Sequence, residues 1–377
     1  DVEGGEMNYT ILTDLDKLDS INFVPTFIVG FYRQGKEDIF SGFFKRLKDR
    51  FPKADIIGCS SESNIYDTIP HIDIDGTHHC IFMCIEMKSE SYILQHYSTL
   101  EKYELLADKS REYSAIILSA NYDDQLEHLI KMLQKGIGKN SFFGAVAGTL
   151  NSEMEKGTIF YNGKYISEGT LIWFIDQEQY LLKGVSMHDF DPVGFDLEIT
   201  HAIDYTIFEI ENKPALEMIE EVVGTLDPDS IASFDHPFFI TSDKNKSSEN
   251  IPITAMYAVD REVKSITLYK KVSNGDKLKV AIPHSRQIEE EQLVRFHDYT
   301  KDNSIAFLFV CIAFKGHWGE MEPLYLMRLS QNLKVPFIGF HTFGEIGILE
   351  PKGYSLMQNQ TVTLAVLSEN EDNHAAK

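Results

Sequence analysis

The feature that most constrains this chain is a strand–helix–strand pattern that comes back three times. Phe23-Val24-Pro25-Thr26-Phe27-Ile28-Val29-Gly30 is dense in β-branched and aromatic residues and reads as a buried strand. Ile39, Phe40, Phe43, Phe44, Leu47 and Phe51 then fall on one face of a helix. Ala54–Gly58 is a second short strand ending at a glycine, and His79–Met87 is a third. The same order runs from the strand Ile305–Ala313, through a helix marked by Met321, Leu324, Leu329 and Leu333, to Val335–Gly339 and Thr361–Leu367. Pro323 sits in the first turn of that helix, where proline is tolerated. In both copies a residue at the start of the third strand, Cys80 or Thr361, falls 22 residues after the glycine. A weaker middle copy reads Ser114–Ser119, a helix stripe of Leu126, Leu129, Ile130, Leu133 and Ile137, then Ser141–Gly144 and Gly169–Ile175. Superposing Gly58, Gly144 and Gly339 aligns Cys59-Ser60-Ser61 with Ala145-Val146-Ala147 and with Phe340-His341-Thr342. A glycine at such a strand exit implies close backbone approach or a positive φ.

Between the copies lie β-rich insertions. Ile159–Ile166 reads as a hairpin with an Asn162-Gly163 turn, and Val272–Leu278 as another around Asn274-Gly275. Thr241–Asn250 is a polar loop. A strand Phe195–Thr200 and one ending near Ile210 precede a helix that starts at Lys213-Pro214-Ala215. The fold class that follows is α/β with mixed sheets, repeated strand–helix–strand units arranged in two domains. Their expected extents are 20–205 and 206–370.

Charge narrows the partners. The chain has 35 basic and 58 acidic residues, a formal net charge of −23. Nucleic acid and anionic membrane surfaces carry the same sign, so neither is an expected partner. The longest apolar run, Ala306–Phe314, is too short to span a bilayer. Four cysteines are present. Cys80 and Cys84, four apart in one strand, would lie about 13 Å from each other, beyond the roughly 7 Å limit of a disulfide. Reduced thiols, an acidic start before Met7 and no leader pattern give the expectation of a cytoplasmic location.

Several segments resemble the FIST family, a two-part intracellular sensory domain. Gly339-Phe340-His341-Thr342-Phe343-Gly344-Glu345-Ile346 is similar to its C-terminal "GFxTYGEI" signature, and Gln358-Asn359-Gln360-Thr361 to its "NQT". Ile57-Gly58-Cys59-Ser60-Ser61 resembles the N-terminal "GCSTAGEI", and Phe143–Gly148 the "GGxAGD" segment. Thr200-His201 and Glu209–Leu216 resemble the join of the two halves. The likeness covers about residues 20–370. Two departures stand out: Ser63-Asn64 replaces the Gly-Glu of the N-terminal signature, and Ile312-Ala313-Phe314-Lys315 follows Cys311 where an arginine is common. The resemblance implies sensing of a small, amino-acid-like ligand and signalling through a separate protein such as a histidine kinase. Some members resemble haem-binding nitric-oxide sensors acting on a histidine kinase or a cyclic-dinucleotide enzyme, so haem is the cofactor the likeness adds.

Open α/β sheets bind ligands beyond the carboxyl ends of their strands. The loops after the three glycines are therefore the candidate ligand site: Cys59, Ser60, Ser61, Gly144, Thr149, His317, His341, Thr342 and Glu345. Glu345 and His341 supply a charge and a base that could grip an amino acid, or alternatively hold their own loop. Axial ligation of a haem would fall to His188, His201 or His341. His71, His78, His79 and Cys80 fit no zinc spacing, and no metal is expected. No Walker A, GxGxxG, HExxH or GxSxG motif occurs, so no catalytic residue is assigned. A hydrolase or transferase using Cys59 is the enzymatic alternative, and it would need a depressed thiol pKa.

Overall fold

The computed structural model describes residues 7–66, 78–98, 111–137, 141–148, 157–188, 190–226, 237–241, 253–283, 296–300, 303–349 and 355–371. Three sheets in it follow one plan. In the first unit Phe27–Arg33 runs parallel to Asp55–Ser61 and antiparallel to Cys80–Ile85, with Tyr9–Leu12 outside. In the second Tyr113–Ser119 runs parallel to Phe142–Val146 and antiparallel to Thr170–Asp176, with Tyr92–Tyr97 outside. In the third Ser304–Cys311 runs parallel to Phe337–Thr342 and antiparallel to Val362–Glu369, with Tyr180–Met187 outside. Helices Glu37–Arg50, Asp124–Ile137 and Glu322–Leu333 make the three parallel crossovers. The mixed α/β class and the repeat are as the periodicity implies. In the third unit a short helix, Ala313–Trp318, precedes the long one; the apolar run of the opening strand had concealed it.

The inner faces of all three sheets share one core, in which Trp173 stacks on Phe27 at 4.1 Å and meets Phe307 edge-on at 5.8 Å. Each outer face packs on its own helix. Strands buried on both faces explain why they read as continuous apolar runs rather than as an alternation.

Gly58, Gly144 and Gly339 occupy equivalent places, facing Gly30, Ile117 and Leu308 across the parallel pair. They lie inside their strands and not at the exits, because the strands run two or three residues further than the apolar pattern indicates. A Cβ at these sites would fall 1.8, 1.9 and 1.9 Å from the facing carbonyl oxygen. Close approach is thus the reason for glycine.

The units are closed on one another by exchanged strands. Asn64–Tyr66, leaving the first unit, pairs with Phe337–Thr342 of the third. Glu345–Ile348, leaving the third, pairs with Phe142–Val146 of the second. Ile159–Tyr161, which follows the second, pairs with Asp55–Ser61 of the first. One backbone hydrogen bond recurs at each junction: His341 N to Ser63 O at 3.0 Å, Val146 N to Gly344 O at 2.8 Å and Ser60 N to Thr158 O at 2.8 Å.

A further antiparallel sheet, including Phe190–Ile203, Thr206–Ile210, Ser265–Leu268 and Lys277–Pro283, is inserted between the outer and opening strands of the third unit. It packs on helix Ala215–Val223. The 205/206 boundary falls in the turn of its first hairpin, where Ile203 pairs with Thr206. Asn162 and Gly163 both have positive φ, as an Asn-Gly hairpin turn requires. Asn274-Gly275 is a turn whose exit alone continues as a strand. The polar stretch after Thr241 lies outside the described residues. No helix among the described residues is long and apolar enough to cross a membrane, and all four cysteines are free and buried.

Candidate functional site

The C-terminal signature folds around its own glutamate. After Phe337–Thr342 the chain turns at Phe343-Gly344 and departs as Glu345–Ile348. Gly344 is needed there, since a Cβ would lie 2.6 Å from the Tyr122 ring. Glu345 is fully buried. Its Oε1 accepts from the Thr342 hydroxyl. Its Oε2 accepts from the Thr361 amide at 3.2 Å and the Thr361 hydroxyl at 2.9 Å. Loss of water pushes its pKa up to about 8, against the hydrogen bonds from Thr342, Thr361 and the Cys311 thiol, which favour the ion. Burial likewise raises the Cys311 thiol, and the neighbouring Glu345 adds to it.

A cavity adjoins this carboxyl. Cys311, Ile312 and Phe343 of the third unit line it, with Asn359 and Gln360 of the following loop. Ala255 and Tyr269 close it from the inserted sheet. About 250 Å³ of space lies around it, open solvent included, while the cavity itself has room for about one water. That is below the size of a preformed small-molecule site, so a larger ligand would enter only as the walls part. Behind the wall, the Tyr122 hydroxyl donates to Asn359 Oδ1 at 3.0 Å, and its ring meets Tyr269 edge-on at 5.7 Å. His317 Nε2 lies 2.9 Å from Gln360 Oε1, with its ring against Phe190 at 5.1 Å. The inserted sheet is also fastened to the second unit: Tyr205 donates to Asp124, and Lys271 Nζ stands 2.5 Å from Asp124 Oδ2. Those ionic groups are about half exposed and hold the two parts only weakly.

The residues expected to share one pocket are divided among junctions. Thr342 and Glu345 stand behind the cavity wall and His317 at its flank. Glu345 is taken up by Thr342 and Thr361, the loop-holding alternative, and does not line the cavity. His341 is elsewhere: Nδ1 is 2.8 Å from Ser63 Oγ and Nε2 is 2.7 Å from Glu322 Oε1, all buried. Burial pulls its pKa down, against the pull of Glu322. It ties the first unit's exchanged strand to the third unit's long helix. Ser60 Oγ accepts from Thr158 N at 2.9 Å, and Ser61 Oγ reaches Tyr32 O at 3.1 Å and Asn64 Oδ1 at 2.7 Å. Gly144 pairs with Ile346 and offers only backbone. Thr149 and His71 lie outside the described residues.

The Ser63-Asn64 departure has a local cause. Ser61 bonds to Asn64 three residues on, as Thr342 does to Glu345. The amide nitrogen of Asn64 then donates to the carbonyls of His78 and His79 at 3.4 and 3.3 Å. A carboxylate in that place would set an acceptor against acceptors.

Cys59 is fully buried in the shared core, and desolvation drives its pKa well above the usual thiol value. Burial of this kind disfavours the thiolate that a nucleophile would need. Cys59→Ala is expected to lower stability by about 1–2 kcal/mol and to leave any ligand-induced thermal shift unchanged; loss of a measured turnover on an intact fold would reverse this assignment.

Of the three histidines expected to offer an axial haem ligand, His201 is exposed against Phe208, and His341 stands between Ser63 and Glu322. His188 packs edge-on to Phe239, its pKa pushed down to about 4 by burial. None of the three is among the residues lining the cavity described above.

Sequence reasoning missed Tyr122, Tyr269, Asn359, Gln360 and Cys311. Asn359 and Gln360 were visible in the Gln358–Thr361 motif, which marks a loop of buried polar residues before a strand. Tyr269 and Ala255 come from the insertion and carry no local signal.

A family model of the FIST N domain matches residues 26–213, and one of the FIST C domain matches residues 215–348. No curated protein matches the chain.

Proposed function

The chain belongs to the FIST family, spanned by its N and C domains, and from that membership we propose that it is a sensory protein that binds a ligand of amino-acid size in the cavity beside Glu345. The family is associated with sensory signal transduction. One observation carries the choice of site: the cavity draws its walls from the C-terminal signature, the Asn359-Gln360 loop and the inserted sheet. A molecule there would touch both the inserted sheet and the third unit, which also pack on each other through Phe190, Phe239, Ile253 and Ala281. Its differential affinity for the open and closed arrangements is what could bias them. Output would pass to a separate protein, such as a histidine kinase, at a cytoplasmic location.

A thermal-shift screen of small metabolites tests this. A ligand at a hundred times its Kd should stabilise the protein by about 2.7 kcal/mol. The shift should vanish in Phe343→Ala and in Tyr269→Ala. A hit whose shift survives both substitutions would place the ligand elsewhere; haem uptake showing a Soret band would favour the haem-sensor alternative.

A further inference from the structure

The three crossover helices are equivalent in the repeat, yet their outer faces differ. Such a helix buries one stripe on its sheet and turns charged residues to water. Glu37–Arg50 does so with Asp38, Lys45 and Asp49, and Asp124–Ile137 with Asp124, His128 and Lys131, all exposed. Glu322–Leu333 buries Leu326, Leu329 and Leu333 on its sheet, but its opposite face is apolar. Leu324 is half-buried there, and Met321 and Met327 are 44% and 39% exposed. The third unit's own packing does not call for these three side chains, and an exposed apolar patch marks a surface for association. At about 100° per residue Leu324 lies at the middle of this face. Met321 and Met327 stand three residues to either side of it, and Glu320 and Arg328 four. Glu320 and Met321 lie in the short turn that leads into the helix. Among the described residues neither Glu320 nor Arg328 makes an ion pair. Two such helices, turned antiparallel about a two-fold axis through Leu324, complement each other. A residue a given number before Leu324 in one then faces the residue the same number after it in the other. Met321 meets Met327, Glu320 meets Arg328, and each contact occurs twice. A parallel pair would set Glu320 on Glu320 and Arg328 on Arg328.

We propose that this face joins two copies of the chain as an antiparallel, two-fold helix pair centred on Leu324. The proposal is independent of any ligand. One helix pair is smaller than a standard interface, and each copy carries a formal charge of −23, so the association is weak. Sedimentation equilibrium of the full chain between about 1 μM and about 1 mM should show monomer and dimer in exchange. A monomer throughout would overturn the proposal. Leu324→Asp sets two carboxylates against each other at the axis and should abolish the dimer; a dimer that survives it uses another surface and also overturns the proposal. Exchange of charge decides the matter even if that substitution lowers the Tm. Glu320→Arg alone, or Arg328→Glu alone, brings like charges together at both contacts and should weaken the dimer about tenfold or more. Mixing the two single variants restores opposite charges at both contacts of a heterodimer. Combining both substitutions in one chain does the same for a homodimer. Both should return to near the wild-type affinity. Single substitutions without effect, or no recovery on mixing or combining them, would end the claim.

Discussion

Gly339→Ala is expected to remove most of the protein's stability. The new Cβ would stand 1.9 Å from the carbonyl oxygen of Leu308, well inside contact distance, and the obstacle is backbone in a buried parallel pair. No rotamer relieves it, so two core strands must separate while Phe340 and Ile338 stay packed in the shared core. The outcome is a loss of about 4 kcal/mol or more, among the largest single-residue effects. Against a total of roughly 5–15 kcal/mol, that means poor solubility or a Tm drop of about 8–16 °C on the scale of a 150–250-residue domain. Gly58→Ala and Gly144→Ala should behave alike, with 1.8 and 1.9 Å to the facing oxygens. Gly42 supplies the contrast: it is exposed on helix Glu37–Arg50 with nothing within 4 Å of its Cβ. Gly42→Ala should stabilise by about 0.5–1 kcal/mol. Scanning calorimetry on the four variants reads this directly, and a wild-type Tm for any of the three strand variants would refute the close-approach account.

The second large effect is a pH dependence carried by Glu345. Its pKa is raised by burial from 4.5 to about 8, so the folded state holds a proton that the unfolded chain has released. The stabilisation is complete below the unfolded value and is lost as pH rises through about 8. Between pH 6.5 and 8 this group alone should lower stability by about 2 kcal/mol. His188, lowered to about 4, and His341, lowered in the same direction, act oppositely. Their stabilisation is present above the ordinary histidine pKa and fades as pH falls, so the wild type should be most stable near neutrality or slightly below. Glu345→Gln isolates the glutamate. Its oxygen can accept from Thr361 while its nitrogen donates to Thr342, whose hydroxyl turns to Val310 O at 3.3 Å. The variant therefore mimics the protonated acid. Its Tm should converge on that of the wild type as pH falls towards 4.5 and exceed it by a growing margin up to about pH 8. Parallel melting curves across that range would mean that Glu345 ionises as an ordinary carboxylate.

Much of the fold was legible because its elements are local. The helix Asp124–Ile137 follows from Leu126, Leu129, Ile130 and Leu133, all buried, and the three glycines share a register that only one repeated backbone explains. Strand ends were not legible. Cys59-Ser60-Ser61 and Phe340-His341-Thr342 read as loops, since polar residues there break the apolar run, yet they continue as strand and satisfy their side chains within the junctions. The candidate site suffered from the same cause. The residues after each glycine serve a neighbouring unit, because each unit closes on the next by an exchanged strand.

The chain's own order of residues determined the three units, their helices, the obligatory glycines and the family signature, because periodicity, volume and register are local properties. Tertiary structure alone decided which strand leaves which unit for which neighbour, since a strand buried on both faces carries no mark of its partner. It alone brought Tyr269 from the insertion to Asn359 and Gln360. It also made Glu345 a near-neutral acid, because a carboxyl's proton affinity depends on how far water is excluded and which donors meet it, and both follow from contacts distant in sequence.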